Sequence, residues 1–295
     1  MKTPDKKHRK YIAQETMEML RVGMLGDLDI SESIKASVEG TCSYSEKDML
    51  PKLLPLSSGC TTQVEVANMT TIQAARELLQ QEPSVPVAVL NFASAKNPGG
   101  GFLNGALAQE ESLALNSALY PCLENDPMYD YHRSLKGGIY SDWCIYSPQV
   151  PVIRNEEEWD RHFLENPWYF NVLTCPCLNQ GTANLKNPDL GKRLEQRMSR
   201  MLSVLACHHR GNVVLGAWGC GVFKNDPRMI ASLFAKMLMQ DRRFINRWPR
   251  VIFAVLDEHP THKTIRSFES VFRGTAVSDS GGRRHASGKT RNESR

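Results

Sequence analysis

The chain has 295 residues, 41% hydrophobic and 23% charged, which is ordinary for a globular protein with enough chain for one large or two small domains. Its formal net charge is +4, and Arg283, Arg284, Lys289, Arg291 and Arg295 against Glu293 account for all of it, so the rest of the chain is close to neutral. That balance argues against a strongly electrostatic nucleic-acid binder.

Eight cysteines lie mostly in apolar or strand-like contexts, with no C-x-x-C pair and no dense framework of the small secreted type. Reduced thiols inside a cell are the expectation. Cys175-Pro176-Cys177 and Cys207-His208-His209 lack zinc-ligand spacing, so no metal site is expected. The charged start MKTPDKKHRK is not followed by an apolar signal core, and no apolar run approaches the ~20 residues that span a bilayer. A cytoplasmic location is expected, or a nuclear one in a eukaryote.

Residues 9–22 read as a helix, with Ile12, Met19 and Leu20 on one face and Gly23 and Gly26 breaking it. The stretch 27–61 is rich in Ser and Pro and weakly patterned, and is expected as extended surface structure covering a sheet. Residues 63–68 alternate as a short strand. Thr70 and Gln73 have capping-box spacing and open a helix through Leu79.

The run Val87-Ala88-Val89-Leu90 has the length and β-branched content of a buried strand. It leads into Asn97-Pro98-Gly99-Gly100-Gly101, where a bare backbone can approach a ligand. Gln109-Glu110-Glu111 then opens a helix expected to run through Leu119 to Pro121. Residues 129–154 read as strands or a hairpin, 155–166 as an acidic surface segment, and 169–174 as a strand. Periodicity is strongest over 189–209, with Gly211 read as its C′ glycine. A strand over 212–217 meets a second glycine-rich loop, Trp218 to Phe223, before Asp226 and Pro227 start another helix. A buried strand over 251–256 and a helix over 264–272 follow, and from 274 onward disorder is expected.

Strands alternating with helices indicate a central sheet covered on both faces. Two glycine loops at strand ends would converge on one crevice.

In the second loop, Gly219, Cys220 and Gly221 offer backbone N–H groups near a helix start, an arrangement suited to a diphosphate, although a ligand-free turn would look the same. It is neither a Walker A loop nor GxGxxG. A nucleophilic Cys220 is conceivable, since a glycine-flanked helix start lowers a thiol pKa, but no His is placed to serve it. In the first loop, neighbours Glu110 and Glu111 sit roughly 100° apart around a helix. They are expected to have two roles, one carboxylate at the reacting atoms and one holding a hydroxyl of the same ligand. Two acids favoured by a helix dipole would also fit.

Gly99-Gly100-Gly101 followed after seven residues by Gln109-Glu110-Glu111 resembles the signature of the poly(ADP-ribose) glycohydrolases. IYSPQVPV at 145–152 and LGAWGCGVFKNDP at 215–227 are similar to its microbial type, and the resemblance covers about residues 9–273. It implies a macrodomain-like three-layer α/β/α sandwich with a mixed central sheet and an N-terminal helical extension. Residues 1–61 would be an accessory segment packed on the core, 62–273 the catalytic domain and 274–295 a disordered basic tail. It also implies hydrolysis of the ribose–ribose bond of poly(ADP-ribose), releasing ADP-ribose without metal or organic cofactor. Glu111 would be the acid/base, its pKa raised by burial beside Glu110, and Glu110 would hold a ribose hydroxyl. Asn97, Gly99, Gly100 and Gly101 would line the scissile ribose, with Gln109 orienting it. Gly219, Cys220, Gly221, Val222 and Phe223 would carry the diphosphate, Phe223 shaping the ribose position. A monomer acting on poly(ADP-ribose) or ADP-ribosylated macromolecules is expected. A mono-ADP-ribosyl hydrolase and a non-catalytic ADP-ribose-binding module share most of these features and stay open.

Overall fold

The computed structural model describes residues 4–56, 59–157, 160–183 and 187–273. The expected tail from 274 lies outside the described residues. Helix α1 (Lys6–Val22) begins where the Asp5 carboxylate accepts the His8 N–H and ends at left-handed Gly23. The stretch expected to be extended is mixed instead. Strands β1 (Met24–Leu25) and β2 (Leu28–Asp29) make a small hairpin, α2 (Ser31–Glu39) follows, and β3 (Cys42–Tyr44) pairs at the edge of the main sheet. Only Ile34 and Ser37 of α2 are buried and its N-cap residue, Ile30, has no capping side chain, the Ser31 N–H going to Asp29 Oδ1 instead, so it leaves little trace in the sequence pattern.

Strand β4 (Gln63–Ala67) leads to α3 (Thr71–Gln81), and the Thr70–Gln73 capping box forms as the spacing predicts. Strand β5 (Val87–Asn91) is buried at every position. After it come a 3₁₀ turn (Phe102–Asn104), α4 (Gln109–Asn116), α5 (Leu119–Leu123) and α6 (Pro127–Ser134). The helix expected to continue to Pro121 breaks at Ser117, which turns extended and bridges to Val152, so Pro121 falls inside the next helix. Strands β6 (Cys144–Arg154) and β7 (Phe163–Thr174) form a long antiparallel pair. Helices α7 (Gln180–Ala183) and α8 (Asn187–His208), strand β8 (Asn212–Gly216), helix α9 (Pro227–Gln240), strand β9 (Arg250–Ala254) and helix α10 (Lys263–Phe272) complete the order. Gly211 stands three residues beyond the end of α8. Its lack of a side chain admits Pro86, whose backbone carbon would lie 2.9 Å from a Cβ there.

Seven strands pair in the order β3-β6-β7-β5-β8-β9-β4. The steps β7-β5, β5-β8, β8-β9 and β9-β4 are parallel and the other two antiparallel, which makes the sheet mixed. Side chains alternate across it as strand geometry requires. Ala88, Leu90, Val213, Leu215, Val251 and Phe253 pack with α8, α9 and α10, while Val87, Val89, Val214 and Ile252 pack with α2, α3 and α4. The result is an α/β/α sandwich. Parallel β5, β8 and β9 end on one edge, so the loops after them open side by side. Among the described residues, no helix is long and apolar enough to cross a membrane.

Candidate active site

A cavity of about 990 Å³ opens over that edge, of the size a nucleotide-like ligand needs. Both glycine loops line it, as the crevice argument predicts. Asn97, Gly100, Gly101, Gln109, Glu110 and Glu111 come from the first, and Gly219, Cys220, Gly221, Val222 and Phe223 from the second. Gly99 is the exception. It is buried against Phe102, whose ring would lie 2.9 Å from a Cβ at that position, so it serves packing rather than lining.

Gly99 and Gly100 both take left-handed φ, +68° and +62°, which folds the loop back under the start of α4. A Cβ on Gly100 would overlap the Glu111 carboxylate, 2.8 Å from its Cδ, and would stand 3.1 Å from Glu110 Oε2. Both carboxylates therefore converge over one bare glycine, despite their angular separation on the helix.

Their surroundings differ. Glu110 is 4% exposed. Its Oε2 accepts the Ser94 N–H at 2.6 Å, and Asn91 Nδ2 reaches Oε1 at 3.5 Å. Burial pushes the Glu110 carboxyl well above its ordinary range, against the pull of the Ser94 amide, with the Glu111 charge adding to the rise. Glu111 is half-buried and faces the cavity. Its Oε1 accepts the Gly101 N–H at 2.9 Å and its Oε2 the Ala108 N–H at 3.0 Å, half of a capping box on α4. The deeply buried acid is thus Glu110, not Glu111 as the sequence reading has it.

Gln109 is a brace. Its Oε1 accepts the Phe92 N–H, and its Nε2 donates to Leu90 O and Thr71 Oγ1, so its amide is committed to tying β5, α3 and α4 together. Helix α1 supports the loop from outside, where Arg9 Nε donates to Gly105 O at 2.8 Å and Thr16 Oγ1 to Leu115 O at 3.1 Å.

The second loop offers backbone instead of acids. The Cys220 N–H is spent on Ala217 O, whereas the amides of Gly221, Val222 and Phe223 have no acceptor among the described residues. The free run is thus displaced by two residues from Gly219-Cys220-Gly221. Gly219 turns at φ +73° directly over Cys177, and Asn225 Nδ2 donates to Gly219 O and Leu178 O beneath it. The start of α9 does not reach the cavity and is capped by Asp226, so the anion-favouring groups here are loop amides rather than a helix end. The Phe223 and Tyr140 rings lie 6.1 Å apart.

The chain matches the model for the microbial-type PARG catalytic domain over residues 13–155, which includes the first loop and both glutamates. The poly(ADP-ribose) glycohydrolase of Thermomonospora curvata is 39% identical, with 90% of this chain covering 99% of that one at a TM-score of 0.82. The chain belongs to the poly(ADP-ribose) glycohydrolase family. A further solved member, from Deinococcus radiodurans in complex with ADP-ribose, is 36% identical over 82% of this chain and 97% of that one, with a TM-score of 0.70. Comparison with curated proteins returned no match. The family and its macrodomain-like fold are those the loop signatures imply, and the chain is a glycohydrolase.

Three features escape the sequence. Asn91, wholly buried, spans Glu110 and Thr174 Oγ1 (3.2 Å); a lone Asn closing an apolar strand was the signal available. Asn225 hides in the loop before α9. Glu156 belongs to the stretch expected as acidic surface, yet its side chain is 8% exposed and lines the cavity. Its carboxylate accepts the Thr70 and Ser112 hydroxyls, each at 2.5 Å, with Arg161 at 3.9 Å. Cys220 is corrected in the other direction: burial raises its thiol pKa, against the lowering a nucleophile would need.

Proposed function

We propose that this glycohydrolase cleaves the ribose–ribose bond of poly(ADP-ribose) to release ADP-ribose, with Glu111 as acid/base and Glu110 holding a hydroxyl of the scissile ribose. The observation that carries this reading is the convergence of two unlike carboxylates over Gly100, facing a loop with unspent amides. The amides of Gly221, Val222 and Phe223 take the diphosphate, which leaves the distal ribose beneath Glu111. A ligand filling the cavity covers Glu111 and keeps bulk water from it. Protonated Glu111 donates to the leaving 2′-oxygen as the C1–O bond breaks and positive charge spreads over the ribose ring. The diphosphate stabilises that charge. Glu111, now ionised, takes a proton from the water that attacks C1, and is reset. A lone acid/base suits this geometry better than an opposed carboxylate pair.

The ADP-ribose complex of the Deinococcus relative supports the ligand class. We further propose a monomer in a reducing intracellular compartment, consistent with eight unpaired thiols, with 62–273 as the catalytic unit and 1–61 as an accessory segment. The test is to incubate the protein with polymer and, separately, with a mono-ADP-ribosylated substrate. Free ADP-ribose from polymer alone supports the reading. Release from the mono-modified substrate alone makes it a mono-ADP-ribosyl hydrolase, and binding without product makes it a reader.

A further inference from the structure

A second concavity, of about 400 Å³, lies between the start of α9 and the exposed face of α10. It is lined by Arg228, Thr261, Lys263, Arg266, Ser267 and Ser270. Three side chains are cationic, three carry hydroxyls, and no carboxylate is among them. Elsewhere on the surface many cations have an acid at hand, as in Arg21–Glu18, Arg133–Asp130, Arg243–Asp241 and Arg250–Glu65. Arg228, Lys263 and Arg266 form no ion pair among the described residues. Of the acids close in sequence, Asp226 is committed to the Met229 N–H, Asp257 to the Thr264 and Ile265 N–H groups and Glu269 to Arg273, while Glu258 lines the main cavity and not the groove. On a body close to neutral, this is a local excess of positive charge.

Its lining chemistry selects the ligand. Guanidinium forks and hydroxyls suit phosphate oxygens. No aromatic ring lines the groove, so it lacks the stacking platform that holds bases of a single strand. Its position gives the connection. Glu258 and Thr264 line the main cavity while Thr261 and Lys263 line the groove, so one short turn separates the two. Glu111 stands at the β5 end, the amide loop follows β8, and this turn follows β9. A ligand laid from Glu111 across the amides therefore points its far end toward the groove.

We infer that Arg228, Lys263 and Arg266 form a second anion site that holds a diphosphate of poly(ADP-ribose) lying outside the unit in the cavity. This rests on the functional reading above for the identity of the polymer. The site makes affinity depend on chain length: one ADP-ribose unit fills the cavity only, while a polymer engages both.

The experiment measures retention of long polymer on the protein and, by calorimetry, binding of free ADP-ribose. It compares the wild type, R228Q/K263Q/R266Q, and a charge-matched control, K35Q/K52Q/R242Q. The groove variant should bind polymer roughly tenfold more weakly, with its log–log salt slope reduced by about 2. ADP-ribose affinity and the control should not change. Unchanged polymer binding, an equal loss for ADP-ribose, or the same loss in the control would each overturn the site. So would double-stranded DNA of equal phosphate content competing as well as polymer. Turnover of polymer by the wild type is scored separately, so a failure of the functional reading is seen as binding without product.

Discussion

The two glycine loops sit on neighbouring parallel strands and line one cavity, yet they are built oppositely. In the first, glycines make room for side chains, since the Glu111 carboxylate occupies the space of a Gly100 Cβ, with Glu110 close beside it. In the second, glycines let the backbone itself be the cavity-facing surface, over a floor of Cys177 and Asn225. Reacting atoms need groups that gain and lose protons, which only side chains supply. A permanent anion needs fixed dipoles, which amides supply without titrating.

This contrast is testable position by position. Gly100→Ala displaces the flexible Glu111 carboxylate rather than the fold. Turnover should fall by about 10²–10⁴-fold, while unfolding free energy drops by only about 1–2 kcal/mol for the left-handed φ. Comparable losses of fold and rate would show that the glycine is merely structural. Gly219→Ala should do the reverse, because its Cβ would stand 2.6 Å from Asn225 Nδ2 and 2.7 Å from Cys177 Cβ. About 2–4 kcal/mol of stability and roughly tenfold in ADP-ribose affinity should be lost. Gly221→Ala, with open space around it, should change stability by less than about 0.5 kcal/mol in denaturant titration.

Titration separates the reacting end again. The raised carboxyl of Glu110 means the folded state holds that proton more tightly than the unfolded chain. Its contribution is therefore fully present below the ordinary Glu value and is lost as pH rises toward the raised one. Glu110→Gln should remove that decline, and an unchanged slope of stability against pH would contradict the burial argument. His132 and His209 act oppositely, since burial lowers both to about 4. They charge more readily when unfolded, so stability should be complete above about pH 6.5 and fall toward pH 4, by up to about 3 kcal/mol for each. His132→Asn and His209→Asn, compared by thermal melts across that range, check the sign. The smallest effect is expected at Cys220, whose thiol pKa is raised rather than lowered; Cys220→Ser should leave turnover within about twofold.

What the sequence disclosed follows the same division. Buried strands β5, β8 and β9 read correctly because short apolar runs opened by Pro86, Gly211 and Pro249 admit few alternatives. The capping box at Thr70 and the Asp226-Pro227 start are local chemistry and appear where expected. Asp126-Pro127 carries the same start signal and opens α6, but aromatic and β-branched residues downstream masked it. Helix α2 has two buried positions and an apolar N-cap residue, Ile30, too little to register. Within the site, the glycines and acids were legible as types, while their environments were not. Which glutamate is buried depends on Asn91 and Ser94, brought in by β5. Which amides remain free depends on a turn that spends the Cys220 N–H internally. Glu156 reads as surface because its partners, Thr70 and Ser112, are 86 and 44 residues away in the chain.

The most direct test is Glu111→Gln, assayed with polymer for ADP-ribose release and by calorimetry for ADP-ribose binding. The amide keeps the shape and one acceptor but can neither donate an acidic proton nor take one from water. The account predicts binding within a few-fold of wild type and turnover lowered by at least about 10³-fold. A variant that still releases ADP-ribose from polymer at a comparable rate would contradict it.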